Sequence, residues 1–213
     1  AIFFFRKNSL IQLYCIFNFL DLAKLYFNYS SMNAGKSTAL LQASHNYQER
    51  GMHTLLITSK KDDRSGKGNI TSRIGLTKKA KIFDEGTNIL DLFHRENSKK
   101  NISCVLVDEA QFLKKRQIKQ LSEIADNLNI PVLTFGIRTD FRGELFEGSK
   151  FLLAWADNIK EIKTICWCGR KATMIVRVSK DGKIITKGDQ IMIGGNESYV
   201  SLCRKHFFLK QLK

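Results

Sequence analysis

Apolar residues along this chain fall into short blocks separated by polar stretches, and the spacing within each block predicts its conformation. Residues 25–29, 54–58, 104–107 and 131–135 are β-favouring runs short enough to be buried strands. The last is opened by Pro131, the single proline of the chain, at a position that strands tolerate. Residues 37–50 carry apolar and small side chains at helical spacing and run into Gly51, a residue suited to the position just past a helix. Residues 116–128 repeat the helical pattern with an apolar stripe. Strands alternating with helices imply an α/β fold with a parallel sheet and helices on both faces. Beyond residue 163 the texture changes to cysteine, glycine and short β-prone runs such as 173–178, which predicts a small second unit over residues 164–213 beside a main domain over 23–163.

Residues 1–22 read differently. They hold five of the fifteen phenylalanines and show neither a helical nor an alternating period. Gln12, Asn18 and Asp21 interrupt what would have to be about 20 apolar residues in a membrane span, and no small-residue cleavage site follows the apolar run. The expectation is an extension outside the fold.

Composition narrows the partners. A chain of 213 residues, 43% of them hydrophobic, can bury one core and a small satellite. A net charge of +15 would admit nucleic acid or an anionic membrane surface. However, 24 of the 35 basic residues are lysines spread singly and in pairs, and the Lys78, Lys79, Lys81 cluster has no interleaved aromatic residue for base stacking. The expectation is no nucleic-acid and no membrane partner; a basic surface also suits a phosphate-rich substrate.

Three constellations carry chemistry. The first is Ser30-Ser31-Met32-Asn33-Ala34-Gly35-Lys36-Ser37-Thr38, which fits a phosphate-binding loop except that Ser30 stands where a glycine is usual. A strand runs into it and a helix runs out, so backbone N–H groups converge on a polyphosphate, Lys36 reaches the β- and γ-phosphates and Ser37 ligates Mg²⁺. This predicts an ATP site. The second is Asp108-Glu109-Ala110-Gln111-Phe112 at the end of an apolar strand. If the strand stays extended, Asp108 and Glu109 point to opposite faces. Asp108 then belongs to the Mg²⁺ shell, and Glu109 is free to act as a general base on an alcohol. The third is Cys166 and Cys168 with Cys203 and His206, two close pairs that suit a closed, structural Zn²⁺ site. Disulfide pairing is the rival; with no credible secretory signal, a reducing compartment and a cytoplasmic location fit better.

Taken in order with Thr139-Asp140-Phe141-Arg142-Gly143-Glu144-Leu145-Phe146 and Gly194-Gly195-Asn196-Glu197-Ser198-Tyr199, these motifs make the chain similar to the zinc-containing P-loop thymidine kinases, and the Cys-x-Cys pair resembles that of their bacterial branch. The resemblance covers residues 23 to 208. It implies a RecA-like domain and a small zinc domain whose lasso loop closes over the nucleoside. It further implies that ATP is bound by residues 30–38 with Asp108, Glu109, Ala110 and Gln111. Thymidine would be held by main-chain groups near Ile193, by the Phe141 and Tyr199 rings and by Met32, with Asp62 and Arg64 near the phosphates and Gln111 and Phe112 beside the substrate. The family's habit implies a homotetramer. A different class also fits part of the sequence, since Asp108-Glu109-Ala110-Gln111 reads as the box of a nucleic-acid-stimulated ATPase. Such motors need two RecA-like domains, and residues 163–213 are too few for the second.

Overall fold

The computed structural model describes residues 22–62, 66–190 and 199–213. Its centre is a six-stranded sheet built from β1 (Leu25–Ser30), β2 (His53–Ser59), β5 (Lys81–Phe83), β6 (Ile102–Val107), β7 (Val132–Ile137) and β8 (Asn158–Glu161). The order is β5-β2-β6-β7-β1-β8, and every pairing is parallel. All four strands expected from the apolar pattern lie at its centre. The edge strands β5 and β8 were not legible, because Lys-Ile-Phe and Asn-Ile-Lys-Glu are short and largely exposed.

Strand alternation sorts the core into two faces. On one face Leu25, Phe27, Leu55, Ile57, Val105, Val107 and Val132 meet three helices, α2 (Ile89–Asn97), α3 (Lys115–Leu128) and α4 (Glu147–Trp155). Within α3, Ile118, Leu121, Ile124 and Ala125 form the inward stripe that its helical spacing predicts. On the other face Leu56, Cys104, Leu106 and Phe135 pack against Leu40 and Leu41 of α1 (Lys36–Glu49). Gly51 follows the end of α1 at φ 72°, so a residue without a Cβ closes that helix as expected.

Two smaller sheets flank the main one. β3 (Asn69–Thr71) and β4 (Thr77–Lys79) form a hairpin. β9 (Met174–Val178) pairs antiparallel with β10 (Ile184–Ile185) and β11 (Tyr199–Leu202), and a short helix α5 (Arg204–Phe208) follows. This three-stranded sheet and the segment leading into it touch the loop after β1 directly: the Ser201 hydroxyl of β11 donates to the Met32 carbonyl at 2.7 Å and the Ser31 hydroxyl to the carbonyl of Ala172, just before β9, at 3.4 Å. Among the described residues no helix is long and apolar enough to cross a membrane.

Candidate active site

β1 ends at Ser30 and α1 begins at Lys36, so residues 31–35 must turn the chain sharply. Asn33 and Gly35 adopt left-handed angles, φ 64° and 84°. Among the described residues nothing lies within 4 Å of where a Cβ on Gly35 would sit. The backbone angle, not crowding, therefore calls for glycine. The turn aims amide groups and the start of α1 into one concavity, the arrangement that binds anions. Lys36 folds back along the loop and is buried; its Nζ donates to Ser30 Oγ and to the Ser31 carbonyl, both at 3.0 Å. Ser30 thus supplies a hydroxyl that holds the lysine, at the position where a glycine is usual.

The acidic end of β6 differs in detail from the extended strand expected. Val107 is its last residue, and Glu109 turns into the left-handed region at φ 53°, ψ 39°, ahead of a single 3-10 turn over Ala110–Phe112. A backbone reversal, not the strand pleat, separates the two carboxylates. A non-glycine residue held there costs about 1 kcal/mol or more, which the surroundings must offset. Asp108 is buried and accepts from Ser37 Oγ on Oδ2 at 2.9 Å and from the Glu109 amide on Oδ1 at 3.0 Å. Burial, and then the nearby Glu109 carboxylate, push the Asp108 carboxyl up to about 7 against the pull of those two hydrogen bonds.

Glu109 is oriented from behind. Gln111 is buried; its Nε2 donates to Glu109 Oε2 while its Oε1 accepts from the Ile137 amide at 3.2 Å. Two glycines leave room for this bridge. A Cβ on Gly136 would sit 2.8 Å from Gln111 Oε1, and one on Gly148, in the first turn of α4, would sit 2.4 Å from the Ala110 carbonyl oxygen.

A cavity of about 310 Å³ joins these groups. Its walls are Met32 to Thr38 of the loop, Asp62, Asp108 and Glu109, together with Thr71, Ser72, Arg73 and Ile137. The last four were missed in the sequence, because the tip of a polar hairpin and the end of a strand carry no motif. Of the other expected residues, Ser30 and Ser31 stand behind the cavity through Lys36, and Ala110 and Gln111 through Glu109. Phe112 packs edge-on against Phe146, at 5.9 Å between centroids, and is not in the cavity wall. Arg64 and Ile193 lie outside the described residues, as does the glycine pair at 194–195.

Phe141 and Tyr199 are brought together by a residue that no motif signalled. The buried Arg177 guanidinium lies 4.0 Å from the Phe141 ring centroid and 5.5 Å from that of Tyr199, and its Nε donates to the Tyr199 hydroxyl at 3.2 Å. Its other end donates to the Asp189 carbonyl at 2.9 Å. Gln190 in turn donates to the buried Asp140 carboxylate at 3.2 Å, which also holds Arg142 at 2.9 Å.

The four expected metal ligands converge. The Sγ atoms of Cys166, Cys168 and Cys203 and a ring nitrogen of His206 all lie within 4.8 Å of one another. Cys168 and Cys203 Sγ are 3.9 Å apart, and Cys166 Sγ is 3.4 Å from His206 Nδ1. Two thiolates on a tetrahedral ion at about 2.3 Å would be about 3.8 Å apart, and a thiolate and an imidazole about 3.5 Å. The donor set therefore fits Zn²⁺. Burial resists ionisation of Cys166, but the Cys168 amide and His206 outweigh it and bring the thiol down to about 6, the form a metal binds. Trp167 stacks on the His206 ring at 4.3 Å between centroids and fixes its plane.

A family model for thymidine kinase matches residues 23–207. The chain belongs to the thymidine kinase family. It is 58% identical over 186 residues to a thymidine kinase of Salmonella typhimurium, which covers 87% of this chain and 91% of that protein. A thymidine kinase of Shewanella oneidensis is 58% identical over 87% of this chain and 97% of its own length, and one of Escherichia coli 57% identical over 87% and 91%. The stretch matched to the thymidine kinase family runs from β1 into α5, so it takes in the loop between β1 and α1, both carboxylates and the four clustered cysteine and histidine residues.

Proposed function

We propose that this chain transfers the γ-phosphoryl group of ATP to the 5′-hydroxyl of thymidine, or of deoxyuridine, giving the nucleoside monophosphate and ADP. One observation carries the proposal: a single cavity holds the Gly35-Lys36-Ser37 turn, Asp108 tied to Ser37, and a Glu109 carboxylate fixed by Gln111. A phosphate grip and an oriented base within one small volume are what an alcohol kinase requires.

Loop amides and the Lys36 ammonium, already desolvated by the loop, neutralise the β- and γ-phosphates as charge shifts toward the leaving ADP oxygen. Ser37 donates a hydrogen bond to Asp108, and Ser37, with Asp108 behind it, would hold Mg²⁺ through its hydroxyl oxygen. Held there, the ion would supply charge neutralisation to the polyphosphate. Glu109 accepts the 5′-hydroxyl proton as the new O–P bond forms and the bond between Pγ and the β-phosphate oxygen breaks. Gln111 keeps the Glu109 carboxylate on station through the Ile137 amide. The Phe141 and Tyr199 rings would flank a flat pyrimidine, with Met32, Asp62, Arg64, Gln111, Phe112 and main chain near Ile193 completing the nucleoside side as the family resemblance implies. The cysteine-histidine cluster would hold Zn²⁺ as a structural clamp beneath β11. This reading carries with it a nucleotide-binding domain over 23–163, a zinc lasso domain over 164–213, a homotetramer and a cytoplasmic location.

The test is to incubate the protein with ATP, Mg²⁺ and each nucleoside in turn, and separately with ATP and polynucleotide. Thymidine-dependent monophosphate is the expected product. ADP release stimulated by polynucleotide, with no nucleoside phosphorylated, would replace the proposal by a nucleic-acid-stimulated ATPase.

A further inference from the structure

The β3–β4 hairpin enters none of the motifs above, yet its tip reaches the phosphate cavity. Its base is fixed to α1. Ile70 is fully buried among Leu40, Leu41 and Leu56, and Lys78 Nζ donates to Ser44 Oγ at 3.2 Å and to Gln48 Oε1 at 2.6 Å. Its tip is tied internally: the Ser72 amide donates to the Leu76 carbonyl at 2.8 Å, the Leu76 amide to Ser72 Oγ at 3.0 Å and the Gly75 amide to the Ser72 carbonyl at 3.1 Å. Gly75 supplies the left-handed angle, φ 89°, that this closure needs.

That framework holds Arg73 in the cavity wall. Lys36 and Arg73 are the two cationic side chains among the described residues that line it. Lys36 is already committed to Ser30 and Ser31, whereas Arg73 is exposed and makes no ion pair with any described residue. A guanidinium offers a planar fork of N–H donors matched to phosphate oxygens, and mounting it on a docked hairpin lowers the entropy lost when it closes on a ligand.

We infer that Arg73 is a phosphate-binding residue, contributed by the hairpin to the polyphosphate of bound ATP from outside the phosphate loop. The inference rests on reading this cavity as the ATP site. Because the hairpin is anchored on α1, which begins at Lys36 of the phosphate loop, the Lys36 and Arg73 side chains are carried by one packed framework that faces the polyphosphate.

The test is calorimetric binding of Mg²⁺-ATP, of inorganic triphosphate with Mg²⁺, and of thymidine to the full chain and to Arg73→Gln and Arg73→Lys, with steady-state kinetics alongside. Removing a charged hydrogen-bond donor should weaken ATP and inorganic triphosphate alike by about 10- to 100-fold. Arg73→Lys should recover part of that loss, and the KM for thymidine should move less than about threefold. Unchanged ATP affinity in Arg73→Gln overturns the inference. So does an equal loss for ATP and thymidine with a lowered denaturation midpoint, which would mark a structural role. If ATP binding depends on Arg73 but no nucleoside is phosphorylated, the kinase reading falls and this inference stands.

Discussion

Replacing Gly148 by alanine places a methyl group 2.4 Å from the Ala110 carbonyl oxygen, 2.8 Å from that of Gln111 and 2.9 Å from the Gln111 carbonyl carbon. Ordinary contact begins near 3.4 Å, so the start of α4 and the 110–112 turn must separate by about 1 Å. The obstacles are all backbone, held by hydrogen bonds from the Phe112 amide to the Glu109 carbonyl and from the Leu113 amide to the Ala110 carbonyl, both 3.1 Å, so no side chain can swing away. Gly148 is helical with an ordinary φ, so alanine itself is conformationally welcome and returns up to about 1 kcal/mol of helix propensity. Overpacking costs about 1–3 kcal/mol, leaving a net loss of about 0–2 kcal/mol once the helix propensity is returned. The larger effect falls on chemistry. The displaced turn carries Gln111 and with it the Glu109 carboxylate, and a misplacement of about 1 Å in a reacting group costs on the order of 10²-fold. Gly148→Ala should therefore lower the denaturation midpoint slightly and kcat by about 10- to 100-fold, with ATP affinity held within about threefold because the displaced 110–112 turn is not part of the phosphate loop. Wild-type kcat with wild-type stability would refute this account of how Glu109 is held.

Removing zinc with a chelator, or mutating Cys203→Ser, should weaken thymidine binding more than ATP binding, because Cys203 directly follows β11, which carries Tyr199, whereas the phosphate loop is built from the end of β1 and the start of α1 and meets the small unit through the Ser201–Met32 and Ser31–Ala172 hydrogen bonds; equal losses in calorimetry would count against this separation. Asp108 titrates near 7 in the folded, nucleotide-free protein against 3.8 for an exposed aspartate, so the folded state keeps a proton that the unfolded chain loses between those values. Its contribution to stability is present at low pH and is lost as pH rises from about 4 to about 7. The difference in unfolding free energy between wild type and Asp108→Asn isolates this effect from the surface carboxylates, and a difference independent of pH across that window would show that Asp108 is ionised throughout.

Central strands and the turn between β1 and α1 were legible because their signals are local. Four apolar runs, a helix ending at Gly51 and a Gly-Lys-Ser turn each constrain their own backbone, and the structure places them as the pattern implies. The paired cysteines and Cys203 with His206 were likewise readable as a donor set, since two short spacings leave only one distance to be closed by folding. What the sequence hid depends on contacts between distant segments. The left-handed turn at Glu109 follows from Gln111 reaching the Ile137 amide, a bond across 26 positions. Glycines 136 and 148 look like ordinary strand and helix residues until the turn they make room for is known. Arg177 reads as a charged interruption in an apolar strand, yet it is buried against the Phe141 and Tyr199 rings. The hairpin at 69–79 was passed over because its residues are polar and lysine-rich, the same features that made the Lys78, Lys79, Lys81 cluster look like plain solvated charge.

The central claim is that Glu109 takes the proton of the nucleoside hydroxyl. It is tested most directly by single-turnover formation of thymidine monophosphate in Glu109→Gln, at saturating ATP and thymidine. Glutamine keeps the shape of the side chain and removes its basicity, so the rate should fall by about 10²- to 10⁴-fold while ATP affinity stays unchanged. A rate within a few-fold of wild type would contradict the assignment of the base and the mechanism built on it.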